Sequence, residues 1–141
     1  MAPGLEVTAH VLVQAEPERV WQLAMDWQRQ QDWMLGTRVR GGEGVGAEVV
    51  ARTGIGPVGF EDTMVITQWD PPYSCVVRHT GRTVRGLGLF EVTAAEGVTQ
   101  FSWTERLQLP FPVPRALRQW VLLPVARWGM AASMRRFARL V

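Results

Sequence analysis

A chain of 141 residues, 47% of them apolar, fits one domain covering residues 1–141, long enough to bury a full core. The single cysteine, Cys75, excludes an internal disulfide and a cysteine-rich zinc site, and two histidines give no compact metal-ligand set. The formal net charge of +2 hides an asymmetry: residues 1–105 carry eight arginines and all thirteen acids, while residues 106–141 carry seven arginines and no acid.

The first residues lack a basic stretch followed by an apolar run, and no apolar run approaches the ~20 residues that span a bilayer, so the chain reads as soluble, while its lone cysteine suits a reducing, cytoplasmic compartment. Leu5, Val7, Ala9, Val11 and Val13 then alternate with polar residues, apart from Leu12, which predicts a strand with one buried face. Glu16 and Pro17 open a short helix through Trp21, Leu23 and Ala24, and Asp26 to Leu35 continues as a second short helix or turn.

From Thr37 the pattern becomes strands punctuated by turn residues, the signature of an antiparallel meander. Strands are expected near Thr37–Arg40, Ala47–Thr53, Gly59–Trp69, Cys75–Thr80, Val84–Val92 and Gln100–Leu109. With the first strand these make seven. Gly41 to Gly46 lacks the Gly-Lys-Ser/Thr ending of a phosphate loop and no helix follows, so its glycines read as turn residues, and Gly86-Leu87-Gly88 fails the dinucleotide pattern for the same reasons.

Val113 to Val141 is the main helix candidate. Leu123, Ala126, Met130, Met134, Phe137, Ala138 and Val141 fall on one stripe. Pro114 suits a helix start, whereas Pro124 removes a backbone bond and predicts a kink or restart near Leu123 and Pro124.

Alternation places Phe60, Asp62, Met64 and Ile66 on one strand face and Phe101, Trp103, Glu105 and Leu107 on another, so each apolar face holds one carboxylate. Such a carboxylate is either a functional group with a raised pKa or half of a buried ion pair, for which Arg127 on the terminal helix is the expected partner. His79 shares a face with Cys75 and Val77, where it is either an acid–base group or a structural histidine. No serine carries a triad signature, so the catalytic candidates stop at Asp62, His79 and Glu105. Trp128 falls opposite Met130 and Met134, near Arg135 and Arg139, and if exposed makes an amphipathic patch.

The element order resembles the SRPBCC superfamily, whose helix-grip members include START lipid-transfer domains, polyketide cyclase/dehydrase-like proteins and the birch-pollen-allergen type of carrier. The residues that carry the resemblance are Ala15 to Trp21, Asp26 with Trp33, Val45-Gly46, Gln68 to Pro72 and Met134 to Phe137. It implies an α+β helix-grip fold: a seven-stranded curved antiparallel sheet around a long, kinked C-terminal helix, two short helices between strands 1 and 2, and an apolar cavity opening near the second short helix. Trp33 and Met34 would then stand at the mouth, either touching a ligand or closing the core.

The expected function is binding or transport of a small hydrophobic molecule, a lipid, polyketide or aromatic compound. Met64, Phe90, Phe101, Trp103, Met130 and Met134 would bury it, while Asp62, His79, Glu105 and Arg127 orient one polar group. The alternatives are a polyketide cyclase or dehydratase using the same polar residues, and an interaction module in which the arginine-rich helix meets a membrane or a protein partner. No cofactor is called for, no nucleic-acid-binding module is present, and the oligomeric state is left open.

Overall fold

The computed structural model describes residues 4–82, 84–109 and 111–141. Among them, β1 (Gly4–Val13), β2 (Thr37–Gly41), β3 (Glu48–Ile55), β4 (Val58–Asp70), β5 (Ser74–Thr80), β6 (Arg85–Ala95) and β7 (Val98–Gln108) form one antiparallel sheet in the order β1-β7-β6-β5-β4-β3-β2. These are the seven expected strands, with small shifts at their ends. The register between β4 and β5 shifts between Ile66 and Gln68, an irregularity of the kind that bends a strand and curls a sheet. The concave face carries Val7, Met64, Ile66, Val77, Phe90 and Phe101, which are buried as period-two alternation requires.

The crossover from β1 to β2 holds α1 (Pro17–Ala24), a single 3₁₀ turn over Trp27–Arg29 and α2 (Gln30–Trp33). Pro17 lies in the first turn of α1, where its missing N–H costs nothing, and α1 buries Val20, Trp21, Leu23 and Ala24. Buried Gln30 donates its side-chain amide to the Ala24 carbonyl at 2.9 Å and so ties α2 to the end of α1. Trp27 Nε1–H donates to the Gly42 carbonyl at 2.8 Å and fixes the turn to the start of the meander.

The terminal helix begins with α3 (Arg115–Leu117), passes through a π-helical stretch over Arg118–Leu122 and continues as α4 (Leu123–Leu140). The expected discontinuity at Pro124 takes the form of this wide turn. Proline has no N–H for the Trp120 carbonyl and its ring crowds that carbonyl, and a π turn just upstream is a way to accommodate both. α4 buries Met130, Ser133, Met134 and Phe137 and packs on β1 and α2. By contrast, α3 and the π turn make their main contacts with each other and with α4, so the front of the helix overhangs the sheet.

This leaves an interior of two halves. Under the back of α4, Trp33 meets Phe101, Trp103 and Phe137 edge-on at centroid distances of 5.9, 6.0 and 5.2 Å, and Phe101 lies 4.5 Å from Phe137. That half is solid, with the Trp33 indole N–H buried and without a hydrogen-bond partner among the described residues. Under the front of the helix the interior is hollow.

Candidate functional site

The hollow is a cavity of about 590 Å³ between the concave face of the sheet, α2 and the front of the terminal helix. β3 contributes Val49 and Ala51, β4 contributes Phe60, Asp62 and Met64, β5 contributes Val77 and His79, and the helix contributes Val121, Leu122, Ala126 and Met130. Exposed lining residues, among them Phe60, Val121 and Val125, mark where it opens. Surface clefts of about 830 and 740 Å³ lie elsewhere, against the β6–β7 turn and against α1 with the following turn. They hold charged residues of both signs that form no linked cluster among the described residues.

One such cluster stands in the cavity wall. His79 Nδ1 is 2.8 Å from Asp62 Oδ1, and His79 Nε2 is 2.9 Å from Glu105 Oε2. Trp103 Nε1–H donates to the other oxygen of Glu105, Oε1, at 2.9 Å. The His79 side chain is 3% exposed and those of Asp62 and Glu105 are 13% and 18% exposed. Burial opposes charge on the imidazole, but its hydrogen bonds to both carboxylates, together with their charges, outweigh it and raise the His79 pKa to about 9. His79 is therefore held as an imidazolium between two carboxylates at neutral pH.

The backbone explains how three side chains from three strands meet. Asp62 is on β4, His79 on β5 and Glu105 on β7, with β6 running between the last two. The β6 residues opposite His79 and Glu105 are Gly86 and Gly88. With no side chain at Gly88, His79 and Glu105 reach each other across the intervening strand. A Cβ on Gly88 would lie 3.3 Å from Glu105 Oε1 and 2.9 Å from Val77 Cγ2, inside the space they occupy.

The sequence placed Asp62, His79 and Glu105 on inward faces, and the structure brings all three together. Of the other expected ligand contacts, Met34, Met64, Phe90, Trp103 and Met130 line the cavity. Trp33, Phe101 and Met134 do not line it: they are packed into the solid half, Trp33 because α2 turns its ring onto Phe101 and Phe137. Arg127 is a correction as well. It is exposed and makes no ion pair among the described residues, because it lies past the edge of the Ala126, Met130, Ser133 and Phe137 stripe, where the helix is leaving the sheet. His79 takes its place as the partner of the carboxylates.

Sequence reasoning missed Gly88 and Ser133. Ser133 is buried, donates to the Gly129 carbonyl at 2.8 Å and accepts from the Leu35 N–H at 3.1 Å, pinning α2 to α4. A serine within an inward stripe was the available signal, and a glycine pair facing two polar strand residues was the other.

Most of the cavity's remaining polar side chains bond the protein itself. Gln30 bonds Ala24, Thr37 donates to the Leu35 carbonyl at 3.0 Å and shares a 3.3 Å contact with Thr53, and Ser133 is engaged as described. Asp62 Oδ2 receives no hydrogen bond from any described residue, which leaves an acceptor at the cavity wall.

Solved structures share this architecture across nearly the whole chain. A protein of Thermus thermophilus superposes with a TM-score of 0.79 at 16% identity, covering 96% of this chain and 95% of the other. An aromatase/cyclase, Zhui from Streptomyces sp. R1128, superposes with a TM-score of 0.76 at 18% identity, covering 98% and 93%. DynU16, a protein of the dynemicin biosynthetic locus, gives 0.67 at 19% identity, this chain matching 46% of its length. At these identities the likeness is one of fold. No curated protein matches the chain by sequence. The sequence profile of the polyketide cyclase/dehydrase and lipid transport family matches residues 4–141, and the chain belongs to that family.

Proposed function

We propose that the protein binds a small hydrophobic molecule in the 590 Å³ cavity, with the Asp62–His79–Glu105 cluster fixing the orientation of one polar group. The observation that carries this reading is the contrast within one space: a largely apolar lining, and one charged cluster with an unspent acceptor. Removing about 200 Å² of apolar ligand surface from water is worth about 5 kcal/mol, so the oily wall supplies affinity and the cluster supplies orientation. Trp103, which both lines the cavity and bonds Glu105, is a built-in reporter. Titration with polycyclic aromatics and lipids is expected to change tryptophan fluorescence saturably, and Ala126→Phe, which fills the cavity from the helix side, is expected to abolish the change. A flat response to the whole panel would rule the reading out.

A second reading is favoured by the cluster itself. A carboxylate with one free oxygen, coupled through an imidazole to a second carboxylate, is equipped to take a proton from an acidic C–H of a bound poly-ketone and return it to a carbonyl oxygen, as cyclisation of polyketides demands. Turnover of such a substrate, lost in Asp62→Asn and in His79→Ala with binding retained, separates enzyme from carrier.

The mouth supports a lipid surface as the place where the ligand is exchanged. The overhanging helix exposes Trp120 (73%) and Trp128 (66%) together with Val121 and Val125, and the β3–β4 hairpin, which supplies cavity residues Thr53 and Phe60, exposes Ile55 and Val58. Arg115, Arg118 and Arg127 accompany this apolar rim in a segment without acids, which suits an anionic bilayer. Flotation with vesicles of about 30% phosphatidylserine, and its loss on Trp120→Ser with Trp128→Ser, tests it. Equal flotation of the wild type and the double variant would remove the rim from the function.

A further inference from the structure

We propose that the cavity selects its ligand by the sign of the head group: the Asp62–His79–Glu105 cluster places one net negative charge in the wall, so the cavity takes amphiphiles bearing an ammonium or a neutral hydrogen-bond donor and refuses those bearing a carboxylate or phosphate. This rests on the cavity-binding reading above and specifies what that cavity accepts.

The charge follows from counting protons, not from assigning them. Each of the two short contacts, Asp62 to His79 and His79 to Glu105, is a hydrogen bond and needs one proton. An imidazolium with two carboxylates satisfies both and carries a net charge of −1, and so does a neutral imidazole with one carboxylic acid and one carboxylate. With two protons among the three groups, one negative charge remains wherever those protons reside.

Nothing else among the described residues of the wall cancels it. The lining contains no arginine, and its charged side chains are these three alone. The Trp103 N–H spreads charge on Glu105 without changing the sum. The acceptor left over, Asp62 Oδ2, is complementary to a donor. A carboxylate head group would bring a like charge and further acceptors to a group that has no proton to give, whereas an ammonium brings opposite charge and up to three donors. Burial in an apolar space by itself disfavours both ions relative to an alcohol, so a difference between cation and anion reports the cluster.

The experiment uses three ligands with one tail, decylamine, decanol and decanoate, titrated calorimetrically into the protein at pH 7. The amine is expected to bind at least about tenfold more tightly than the carboxylate, a gap of about 1.4 kcal/mol that one charge within several ångströms readily supplies. Asp62→Asn and Glu105→Gln each remove the surplus charge with little change of shape and are expected to close most of that gap from both sides, weakening decylamine and tightening decanoate. Decanoate binding as tightly as decylamine to the wild type overturns the selection, and a gap that survives in both variants removes it from the cluster. If none of the three ligands binds, the cavity reading itself fails, and the selection with it.

Discussion

Gly88 on β6 pairs with Glu105 on β7, and the absence of a side chain at 88 is what leaves the Glu105 carboxylate room to reach His79 on the far side of the strand. A methyl group at that position would press within 3.3 Å of Glu105 Oε1 and 2.9 Å of Val77 Cγ2. A carboxylate that looked isolated on its own strand is thereby one end of a relay drawn from three strands.

Gly88→Ala is therefore expected to cost about 1–3 kcal/mol, the range for overpacking a core, and to loosen the Glu105–His79 contact. Gly129→Ala is the contrast, since a Cβ there meets nothing within 4 Å and alanine is the better helix former by about 1 kcal/mol. Thermal melts of the two variants should move in opposite directions.

His79 makes stability depend on alkaline pH. Its folded-state pKa of about 9 lies above the ordinary 6.5, so the stabilisation is complete below about pH 6.5 and is lost as pH rises through about 9. The contribution is of the order of 3 kcal/mol. Denaturant midpoints should fall from pH 7 to pH 10, and His79→Gln should flatten that fall.

Removing only the imidazole leaves two carboxylates facing each other across its space. His79→Leu should destabilise by about 3 kcal/mol, the cost of breaking a buried ionic group by deleting one partner. Changing Asp62, His79 and Glu105 all to leucine should recover much of that loss, because no buried charge then lacks a partner. Urea titrations of the single and triple variants measure both. Recovery of stability together with loss of ligand discrimination marks the cluster as retained for binding.

The tryptophans divide by place. Trp33, fully buried against Phe101, Trp103 and Phe137, should cost about 3–5 kcal/mol on mutation to alanine. Trp128 on the exposed side of α4 should cost under about 0.5 kcal/mol and change only what the surface touches. Chemical denaturation distinguishes them directly.

The fold was legible because each of its elements is written in local pattern. Alternation marks the strands, glycine and proline mark their ends, and the Met130–Met134–Phe137 spacing marks the helix that closes the sheet. The same alternation put Asp62, His79 and Glu105 on inward faces, since the direction of a strand side chain depends on position parity alone. What they bond to depends on which strands are neighbours and in what register, and those distances are set by pairing across 17 and 26 residues of chain. The choice between Arg127 and His79 as partner, the division of the interior into a solid and a hollow half, and the clearance at Gly88 were decided only when the strands were laid side by side and the front of the helix was left overhanging.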